Sequence, residues 1–368
     1  MLTSHAIKAR AHELGFDLCG IAPAADFDEL RFLDTWIAHR YYGTMTWLPR
    51  TARVRRDVRQ IIPSAQSVIV TGSLYNTDRP YSTGESGGPT ARVSRYAWGE
   101  DYHTVVGERL DALLAWMRDA HGASFEARAY TDTGPVQERV YAQHAGLGWI
   151  GKHTCLINED LGSWLFLGEI ICSIPLEPDV AGVDQCGSCQ LCLQSCPTGA
   201  IVEPWVVDAR LCISYLTIEK RGTMPEGDLR EAIGPRVYGC DVCQEVCPWN
   251  SRPVASVRPE WQPQEALDAP TLLALWETSD ADLDTIRMRG PMSRVSTPGL
   301  RRNLAIAIGN ADGLVPAAAL DVGADDPERP SLRDPAVVDA IAWALARLTE
   351  RDRTAAGPGV GGGRIMDP

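Results

Sequence analysis

Apolar residues alternate between helix-like and strand-like spacing along the first part of the chain. Helical spacing from Ile7 to Leu14 ends at a glycine, and the next segment, FDLCGIAP, reads as a strand. The apolar run Val68 to Val70 and the segment SWLFLGEIIC predict further buried strands. From His103 to Met117 the apolar positions lie on one side of a predicted amphipathic helix. Together these elements predict an α/β domain over residues 1–180.

Helical periodicity dominates the chain after Pro253. Leu300, Leu304 and Ile308 recur at helical spacing, and a second helix is predicted to begin at Pro335 with Asp334 as its cap. Its predicted buried stripe is Val337, Ile341, Leu345 and Leu348. Paired helices predict an all-α, HEAT-like domain over residues 256–352. The glycine-rich end, residues 353–368, has linker composition and is predicted to be a disordered tail.

Composition places this chain among globular proteins. With 368 residues and 45% hydrophobic content it can fill two or three domains. The longest apolar stretch, Leu161 to Ile174, is shorter than a membrane span and contains Glu169. The polar N-terminus has no apolar core of a signal peptide. We therefore expect a cytoplasmic protein without membrane contact, and we expect a monomer.

The net charge of −13 argues against indiscriminate nucleic-acid binding, which needs a basic surface. One window is different, because five arginines and no acidic residue lie between Thr285 and Asn310. They are Arg287, Arg289, Arg294, Arg301 and Arg302. Charge alone does not distinguish an RNA-binding face from a solvated helix face.

Seven cysteines form two runs in the middle of the chain. The first run reads CxxCxxCxxxCP and the second, about fifty residues later, reads CxxCxxxCP; their members are Cys186, Cys189, Cys192, Cys196, Cys240, Cys243 and Cys247. In the bacterial ferredoxin spacing, three thiolates hold one cubane and the fourth, beside the proline, holds a second. The runs therefore predict a ferredoxin-like domain with two 4Fe-4S clusters over residues 181–255.

Two cubanes need eight thiolates, and Cys212 between the runs is the best candidate for the eighth. The crossed pattern then gives Cys186, Cys189, Cys192 and Cys247 to one cluster. It gives Cys196, Cys212, Cys240 and Cys243 to the other. A pair of zinc sites is the alternative, since CxxC pairs also bind zinc. Disulfides are disfavoured in a reducing compartment. The remaining Cys19, Cys155 and Cys172 have apolar neighbours and are expected to be small core residues.

Three segments before the cysteines are rich in polar residues and glycine beyond what core packing needs: SRYAWGEDYH, YTDTGPVQER and AGLGWIGKHTCLIN. In the first, the density of polar side chains around His103 suits the wall of a ligand site. In the second, Asp132 begins DTGP, which is also a common turn sequence. In the third, we expect the glycines to let the backbone approach a ligand closely.

Taken together, these segments and the motifs CPTGAI, CISYLTIEKRG and GCDVCQEVCPWN closely resemble the epoxyqueuosine reductase family, over roughly residues 5 to 350. The resemblance implies an iron-sulfur and cobalamin enzyme that reduces the epoxide of epoxyqueuosine at the wobble position of tRNA. It also implies a cobalamin domain like that of reductive dehalogenases before the clusters, and a HEAT-like domain after them that holds the tRNA anticodon arm.

The resemblance further implies roles for individual residues. Asp132 matches the family's catalytic acid, and to donate a proton at neutral pH it needs a pKa raised above the ordinary value of about 3.9. The residues implied near the cobalamin are Arg55, Tyr96, Asp132, His153, Ser214 and Asp241. The residues implied near the tRNA are Lys220, Arg221, Arg287, Arg301 and Arg302.

Two other functions fit part of the sequence. A corrinoid-dependent reductase of a small organic substrate, such as an organohalide, would not need the arginine-bearing helical end. A pure two-cluster electron carrier would leave the first 180 residues without a role. Each of the three functions requires an external electron donor.

Overall fold

The computed structural model describes residues 2–84, 89–225, 227–311, 315–321 and 326–355. Ten strands lie within these ranges: β1 (Leu18–Pro23), β2 (Ser67–Leu74), β3 (Arg92–Val93), β4 (Ala127–Tyr130), β5 (Trp149–Ile150), β6 (Leu156–Ile157), β7 (Leu165–Cys172), β8 (Ile201–Glu203), β9 (Val206–Val207) and β10 (Arg236–Tyr238).

The α-helices in the same ranges are α1 (Ser4–Glu13), α2 (Phe32–Ala38), α3 (Trp47–Arg55), α4 (Tyr102–His121), α5 (Glu138–His144), α6 (Leu191–Gln194), α7 (Ile213–Ile218), α8 (Asp228–Ile233), α9 (Val242–Glu245), α10 (Leu272–Glu277), α11 (Asp280–Met288), α12 (Thr297–Gly309) and α13 (Pro335–Ala355). Within this described part of the chain, no helix has the length and hydropathy that a membrane crossing requires.

An antiparallel sheet in the order β1-β2-β7-β4 forms the centre of the first domain. Every residue of β2 is buried, as expected for a strand with neighbours on both sides and helices on both faces. One face packs against α1 and α4 through residues such as Ile69 and Leu110. The other face packs against α5 through Val70 and Tyr141. The first domain therefore contains the mixture of helices and strands that the sequence predicts, but its sheet is antiparallel, unlike the mostly parallel sheet of the α/β class.

Helix α4 has the buried stripe that the sequence predicts, consisting of Val106, Leu110, Leu113, Leu114 and Met117. The Asp101 side chain caps its first turn by accepting the backbone N–H of His103 at 3.0 Å. The helix ends at Gly122, whose φ of +70° is a left-handed conformation that glycine adopts without strain. This capped start matters for the site, because the side chains of Tyr102 and His103 leave it toward the cavity described below.

The cysteine region is joined to the first domain by a parallel pairing of β10 with β3. Its helices α6 and α9 pack against each other. The glycines of GLGWIG serve protein packing here, which corrects the expected approach to a ligand. A Cβ on Gly146 would lie 2.7 Å from the carbonyl oxygen of Val180, and one on Gly148 would lie 2.0 Å from that of Ile157. Lys152, buried beside them, donates to the carbonyl of Cys189 at 2.8 Å.

The C-terminal region is helical as predicted, with α12 packed against α13. Pro335 is the first residue of α13, and the Asp334 side chain accepts the N–H of Ala336 at 2.8 Å. One hydrophobic core runs from the cysteine region into these helices, so residues on both sides of position 255 pack together. The HEAT-like character remains a prediction. Helix α13 continues through residues 353–355, which were predicted to belong to the tail, and residues 356–368 lie outside the described ranges.

Candidate active site

The predicted cluster cysteines fall into two groups. In the first group, Cys186 and Cys247 pack together around Trp149. Burial, followed by the nearby thiols of Cys247, Cys186 and Cys189, raises the pKa of Cys192 to about 11. The mutual influence of these sulfurs means that the four cysteines lie close together.

The second group consists of Cys196, Cys212, Cys240 and Cys243, all of which line one cavity. Burial raises the pKa of Cys243, and the thiol of Cys155, followed by those of Cys240 and Cys212, raises it further. Cys196 acts on Cys212 in the same way. The Cys196 sulfur also accepts the backbone N–H of Ala200 at 3.2 Å. The two groups agree with the crossed ligand pairing that the sequence predicts.

The spacing of the cysteines bears on the zinc alternative. Zinc requires four ligands that converge on one atom. Within the described ranges, no group of three or more His, Cys, Asp or Glu side chains is close enough to hold a single metal ion. A cubane keeps its ligands farther apart, because each thiolate binds a different corner of the cluster. The cubane ligation that the sequence predicts does not require such a group.

The cavity next to the second cysteine group has a volume of about 440 Å³. Five of the six residues that the resemblance assigns to the cofactor line it: Tyr96, Asp132, His153, Ser214 and Asp241. The cavity therefore brings a carboxylate from the first domain and thiols from the cysteine region to a common space.

Arg55, the sixth residue, lies at the end of α3 and lines a second cavity of about 690 Å³. Its guanidinium donates to the carbonyl of Val136 at 2.8 Å. The exposed aromatic side chains of Phe32 and Trp205 form part of this cavity's wall. The two cavities meet at residues that line both: Asp132, Glu138, Arg139, Thr154 and Val207. Asp132 thus lies at the junction.

Asp132 follows β4 and adopts a left-handed backbone conformation, with φ of +57°. Its carboxylate accepts hydrogen bonds on Oδ2 from the hydroxyl of Tyr102 at 3.0 Å and from Nε2 of His103 at 3.3 Å. The other ring nitrogen of His103, Nδ1, lies 2.7 Å from Oδ1 of Asp101. The imidazole therefore bridges two carboxylates. Asparagine and aspartate are the residues other than glycine that enter this backbone region most readily.

The electrostatics of Asp132 correct the sequence-based expectation of a raised pKa. The hydrogen bond from His103 is the strongest influence and lowers the pKa of Asp132; burial opposes it, and the hydrogen bond from Tyr102 adds to the lowering. The Asp132 side chain is 63% exposed, so burial cannot dominate. For His103, burial acts against the charge, but hydrogen bonds to Asp101 and Asp132 raise its pKa to about 9. At neutral pH the proton of the pair therefore resides on His103.

His153 offers an unused donor to the cavity. Its Nδ1 accepts the backbone N–H of Cys155 at 3.1 Å, so the neutral ring carries its proton on Nε2. That Nε2 is buried and has no hydrogen-bond partner among the described residues. A buried donor without a partner is costly, and a polar ligand in the cavity would satisfy it.

Tyr96 and Asp241 line the cavity, and hydrogen bonds to neighbouring residues fix the positions of both side chains. The Tyr96 hydroxyl donates to that of Tyr238 at 3.2 Å. The Asp241 carboxylate accepts from the Ser94 hydroxyl and, at 2.7 Å, from the backbone N–H of Arg95. Burial raises the pKa of Asp241 to about 6. Asp241 therefore ties the second cysteine group to the first domain.

The structure contradicts two of the predicted RNA contacts. Arg301 and Arg302 are almost completely buried, with exposed fractions of 0% and 1%. Arg301 pairs with Asp280 at 2.8 Å, and Arg302 donates to the carbonyl oxygens of Lys220 and Gly222 at 2.8 and 2.7 Å. These arginines bind backbone carbonyls and a partly buried carboxylate, so they stabilise the protein fold. Sequence charge cannot distinguish such arginines from surface ones.

The other predicted RNA contacts are accessible to different degrees. Arg221 is exposed and Lys220 is half-buried, whereas Arg287 is half-buried and paired with Asp284 at 2.7 Å. Arg294 is exposed too, and its guanidinium lies 5.0 Å from the ring of Trp47. Arg294 is one of the five arginines between Thr285 and Asn310, but it is not among the residues that the family resemblance implies near the tRNA.

Sequence reasoning missed two residues at the site. Cys155, expected in the core, lines the cavity beside the second cysteine group. Glu138 lines both cavities, and its carboxylate accepts the backbone N–H of Asp132. The only sequence signal for Glu138 was its place in the polar segment YTDTGPVQER.

Two family models match the chain. Residues 185–250 match the 4Fe-4S double cluster binding domain, and residues 55–133 match the family described as epoxyqueuosine reductase QueG, DUF1730. The first match contains both cysteine groups, and the second runs from Arg55 to the residue after Asp132. The fold and the site therefore define an iron-sulfur oxidoreductase whose cluster domain opens onto a cavity that contains an acid.

Curated relatives and solved structures extend the match to most of the chain. The epoxyqueuosine reductase of Gloeobacter violaceus is 43% identical over 328 residues, which cover 86% of this chain and 99% of the relative. That of Escherichia coli is 37% identical, over 94% of this chain and 89% of the relative. A solved epoxyqueuosine reductase with an epoxyqueuosine-modified tRNA-Tyr stem loop superposes with a TM-score of 0.80, at 29% identity, over 95% of this chain and 92% of that one. The chain belongs to the epoxyqueuosine reductase family.

Proposed function

We propose that this chain reduces the epoxide of epoxyqueuosine to the alkene of queuosine at the wobble position of tRNA. The reaction consumes two electrons and two protons and releases the epoxide oxygen as water. Membership of the family and the likeness to a relative solved with an epoxyqueuosine-modified stem loop support this substrate. The observation that carries the proposal is the common cavity shared by Asp132 and the four cysteines of the second group.

Electrons from an external donor reach the first cluster, held by Cys186, Cys189, Cys192 and Cys247, and then pass to the second. This order follows from position, because the cysteines assigned to the second cluster line the reaction cavity and those assigned to the first do not. Helices α6 and α9 each carry ligands, and their packing keeps the clusters near each other. The cysteine region therefore acts as an internal electron path.

The two adjoining cavities together offer space for a large redox cofactor with polar edges, and we assign this joint space to cobalamin. Tyr96, His153, Ser214 and Asp241 would hold it from one side and Arg55 from the neighbouring cavity. The unpartnered Nε2–H of His153 supports this assignment, since it needs an acceptor. When bound, cobalamin supplies a strongly reducing cobalt next to the substrate. The protein binds and orients the reactants, excludes water and supplies protons.

Asp132 delivers one of the two protons to the departing oxygen, and solvent supplies the other to complete the water. Its carboxylate and His103 together hold one proton at neutral pH, and the hydrogen bond between them provides the route by which this proton passes from His103 to Asp132 and on to the oxygen. Asp101 stabilises the protonated imidazole. A Bacillus subtilis epoxyqueuosine reductase has been solved with its catalytic aspartate loop swung out of the active site, at 28% identity and a TM-score of 0.80. We infer that the Asp132 loop is the matching element here.

The wobble base must leave its stack to reach Asp132 and the second cysteine group, because both line a cavity that a stacked base cannot enter. Arg221 and Lys220 are the best-placed phosphate contacts among the predicted residues, with Arg287 as a further candidate. Such contacts position an RNA without reading its sequence. The inserted base then provides the specificity.

Nucleoside analysis of tRNA from a strain that lacks this gene tests the proposed substrate. We expect epoxyqueuosine to accumulate and queuosine to be absent, and a plasmid copy of the gene to restore queuosine. Normal queuosine in the deletion strain would contradict the proposed function.

A further inference from the structure

The backbone of Asp132 is held by a side chain from the next helix. Glu138 is the first residue of α5, and its Oε1 accepts the backbone N–H of Asp132. The hydrogen bonds from Tyr102 and His103 reach only the carboxylate of Asp132. The contact with Glu138 therefore acts on the main chain, at the one position of this turn where the backbone is left-handed.

A left-handed residue other than glycine is costly in free energy and persists only when its surroundings enforce it. On one side of Asp132, the hydroxyl of the buried Thr131 donates to the carbonyl of Leu167 at 2.8 Å and fixes the chain to β7. On the other side, Val136 is buried in the core. Between these two anchors, the carboxylate of Glu138 is the acceptor for the Asp132 amide.

Charged groups from several elements face Glu138. Asp132 lies in the loop above it, Arg139 follows it on α5, Arg55 lies at the end of α3, and Glu169 on β7 lies below. Burial raises the pKa of Glu138 to about 7, with a further increase from Asp132; the bond to the Asp132 amide and the two arginines act in the opposite direction. Glu138 therefore changes its charge near neutral pH, and its charged form is the stronger hydrogen-bond acceptor.

Glu169 is a natural comparison for Glu138. It is completely buried, and neither of its carboxylate oxygens has a hydrogen-bond partner among the described residues. Burial raises its pKa well above the ordinary value, followed by the influence of Glu138 and Asp132. Unlike Glu138, Glu169 has no hydrogen bond to the Asp132 loop among the described residues.

We propose that Glu138 is the positioning residue that holds the Asp132 loop in the cavity by accepting its backbone N–H. This inference rests on the proposed function of Asp132 as the acid. Loss of the Glu138 contact frees the turn to leave its left-handed conformation, and the carboxylate then moves away from the junction of the two cavities. The role requires an acceptor oxygen at position 138, and it does not require a charge.

Hydrogen-deuterium exchange of residues 131–135, in the full-length protein without substrate, tests the contact itself. We expect Glu138→Ala to remove the protection of the Asp132 amide while α5 stays protected. Glu138→Gln keeps an acceptor oxygen and should retain most of the protection. Glu169→Gln, a carboxyl-to-amide change in the same region, should leave the loop as in the wild type. In the wild type, protection corrected for intrinsic exchange should increase as pH rises through about 7, and in Glu138→Gln it should not.

Turnover of an epoxyqueuosine-containing stem loop completes the test. We expect kcat of Glu138→Ala to fall by about tenfold, which is near the upper end of what one uncharged hydrogen bond is commonly worth, with KM little changed. Glu138→Gln should recover most of kcat. Wild-type protection of the Asp132 amide in a folded Glu138→Ala protein overturns the inference, as does a Glu138→Gln protein whose loop is as unprotected as that of Glu138→Ala. The exchange data do not depend on the substrate, so they separate failure of this inference from failure of the proposed function.

Discussion

Nε2 of His103 lies 3.3 Å from Oδ2 of Asp132, and the opposite nitrogen of the same ring contacts Asp101. The acid at the cavity is therefore one partner of a pair that shares a proton. The proton resides on the imidazole at neutral pH, because two carboxylates stabilise the charged ring. Asp132 can then receive a proton when negative charge develops on the substrate oxygen.

The pH dependence of the reaction follows from this pair. The pKa of His103 is raised from its ordinary 6.5 to about 9, so the pair holds its proton below pH 9 and loses it as pH rises through that value. We expect the single-turnover rate to decline across the same range. In His103→Gln the rate should be lower by at least about tenfold and this decline should disappear. An unchanged decline near pH 9 in His103→Gln would exclude His103 as its origin.

The raised pKa of His103 also predicts that its contribution to the free energy of unfolding depends on pH. A raised pKa means that the folded protein binds the proton more tightly than the unfolded chain does, so the contribution of His103 is fully present below pH 6.5 and is lost as pH rises through about 9. The difference in free energy of unfolding between the wild type and His103→Gln should therefore shrink over this range. Urea unfolding at several pH values measures it, and a difference that grows with pH would contradict the assigned ion pairs.

Asp132→Asn should retain both clusters, the corrinoid and the affinity for the stem loop, and lose the reaction. The amide keeps the size of the side chain but cannot donate a proton as a carboxylic acid does, so we expect a loss of about 100-fold or more in single-turnover rate. Asp160→Asn, a change at an exposed aspartate of the same domain, is the matched control and should behave as the wild type. Unchanged conversion by Asp132→Asn would refute the assignment of the acid.

Cys212→Ser should lower the iron content by about four atoms per chain, because the second cluster loses a ligand. Cys155→Ser is the control, since Cys155 lines the same cavity but is outside the proposed ligand set. Iron analysis after reconstitution measures both variants. Full iron content in Cys212→Ser, or a loss of iron in Cys155→Ser, would contradict the ligand pairing.

Buried and exposed arginines near the C-terminal region should differ in what their loss affects: protein stability for buried ones and RNA binding for exposed ones. Arg302→Ala removes the donor from three backbone carbonyls, those of Leu216, Lys220 and Gly222, of which only the Leu216 carbonyl belongs to a buried residue. Leaving that buried carbonyl without a partner costs roughly 1–3 kcal/mol, so the variant should have a lower free energy of unfolding. Arg221→Ala, at an exposed position, should leave stability nearly unchanged and weaken stem-loop binding with a smaller salt dependence. A stable Arg302→Ala protein with weaker RNA binding would restore the original prediction for Arg302.

The sequence predicts the parts of this protein whose signals are local. The stripe of α4 follows from apolar spacing, and the eight ligands follow from the spacing of the cysteine runs and a count. The burial of Arg301 and Arg302 depends on carbonyls that distant segments bring together, so a window of charges could not predict it. The lowered pKa of Asp132 likewise depends on His103, 29 residues away, which only the packing of α4 against the sheet brings near.

Conversion of epoxyqueuosine to queuosine by the purified protein is the decisive test of the proposed reaction on tRNA. The reconstituted chain, with both clusters and cobalamin, is incubated with a reductant and a tRNA stem loop that carries epoxyqueuosine, and the nucleosides are analysed by mass spectrometry. We predict queuosine, lighter than the substrate by one oxygen atom, and a rate of formation at least about 100-fold lower with Asp132→Asn. Unchanged epoxyqueuosine after incubation with the fully loaded wild-type protein would contradict the proposed function.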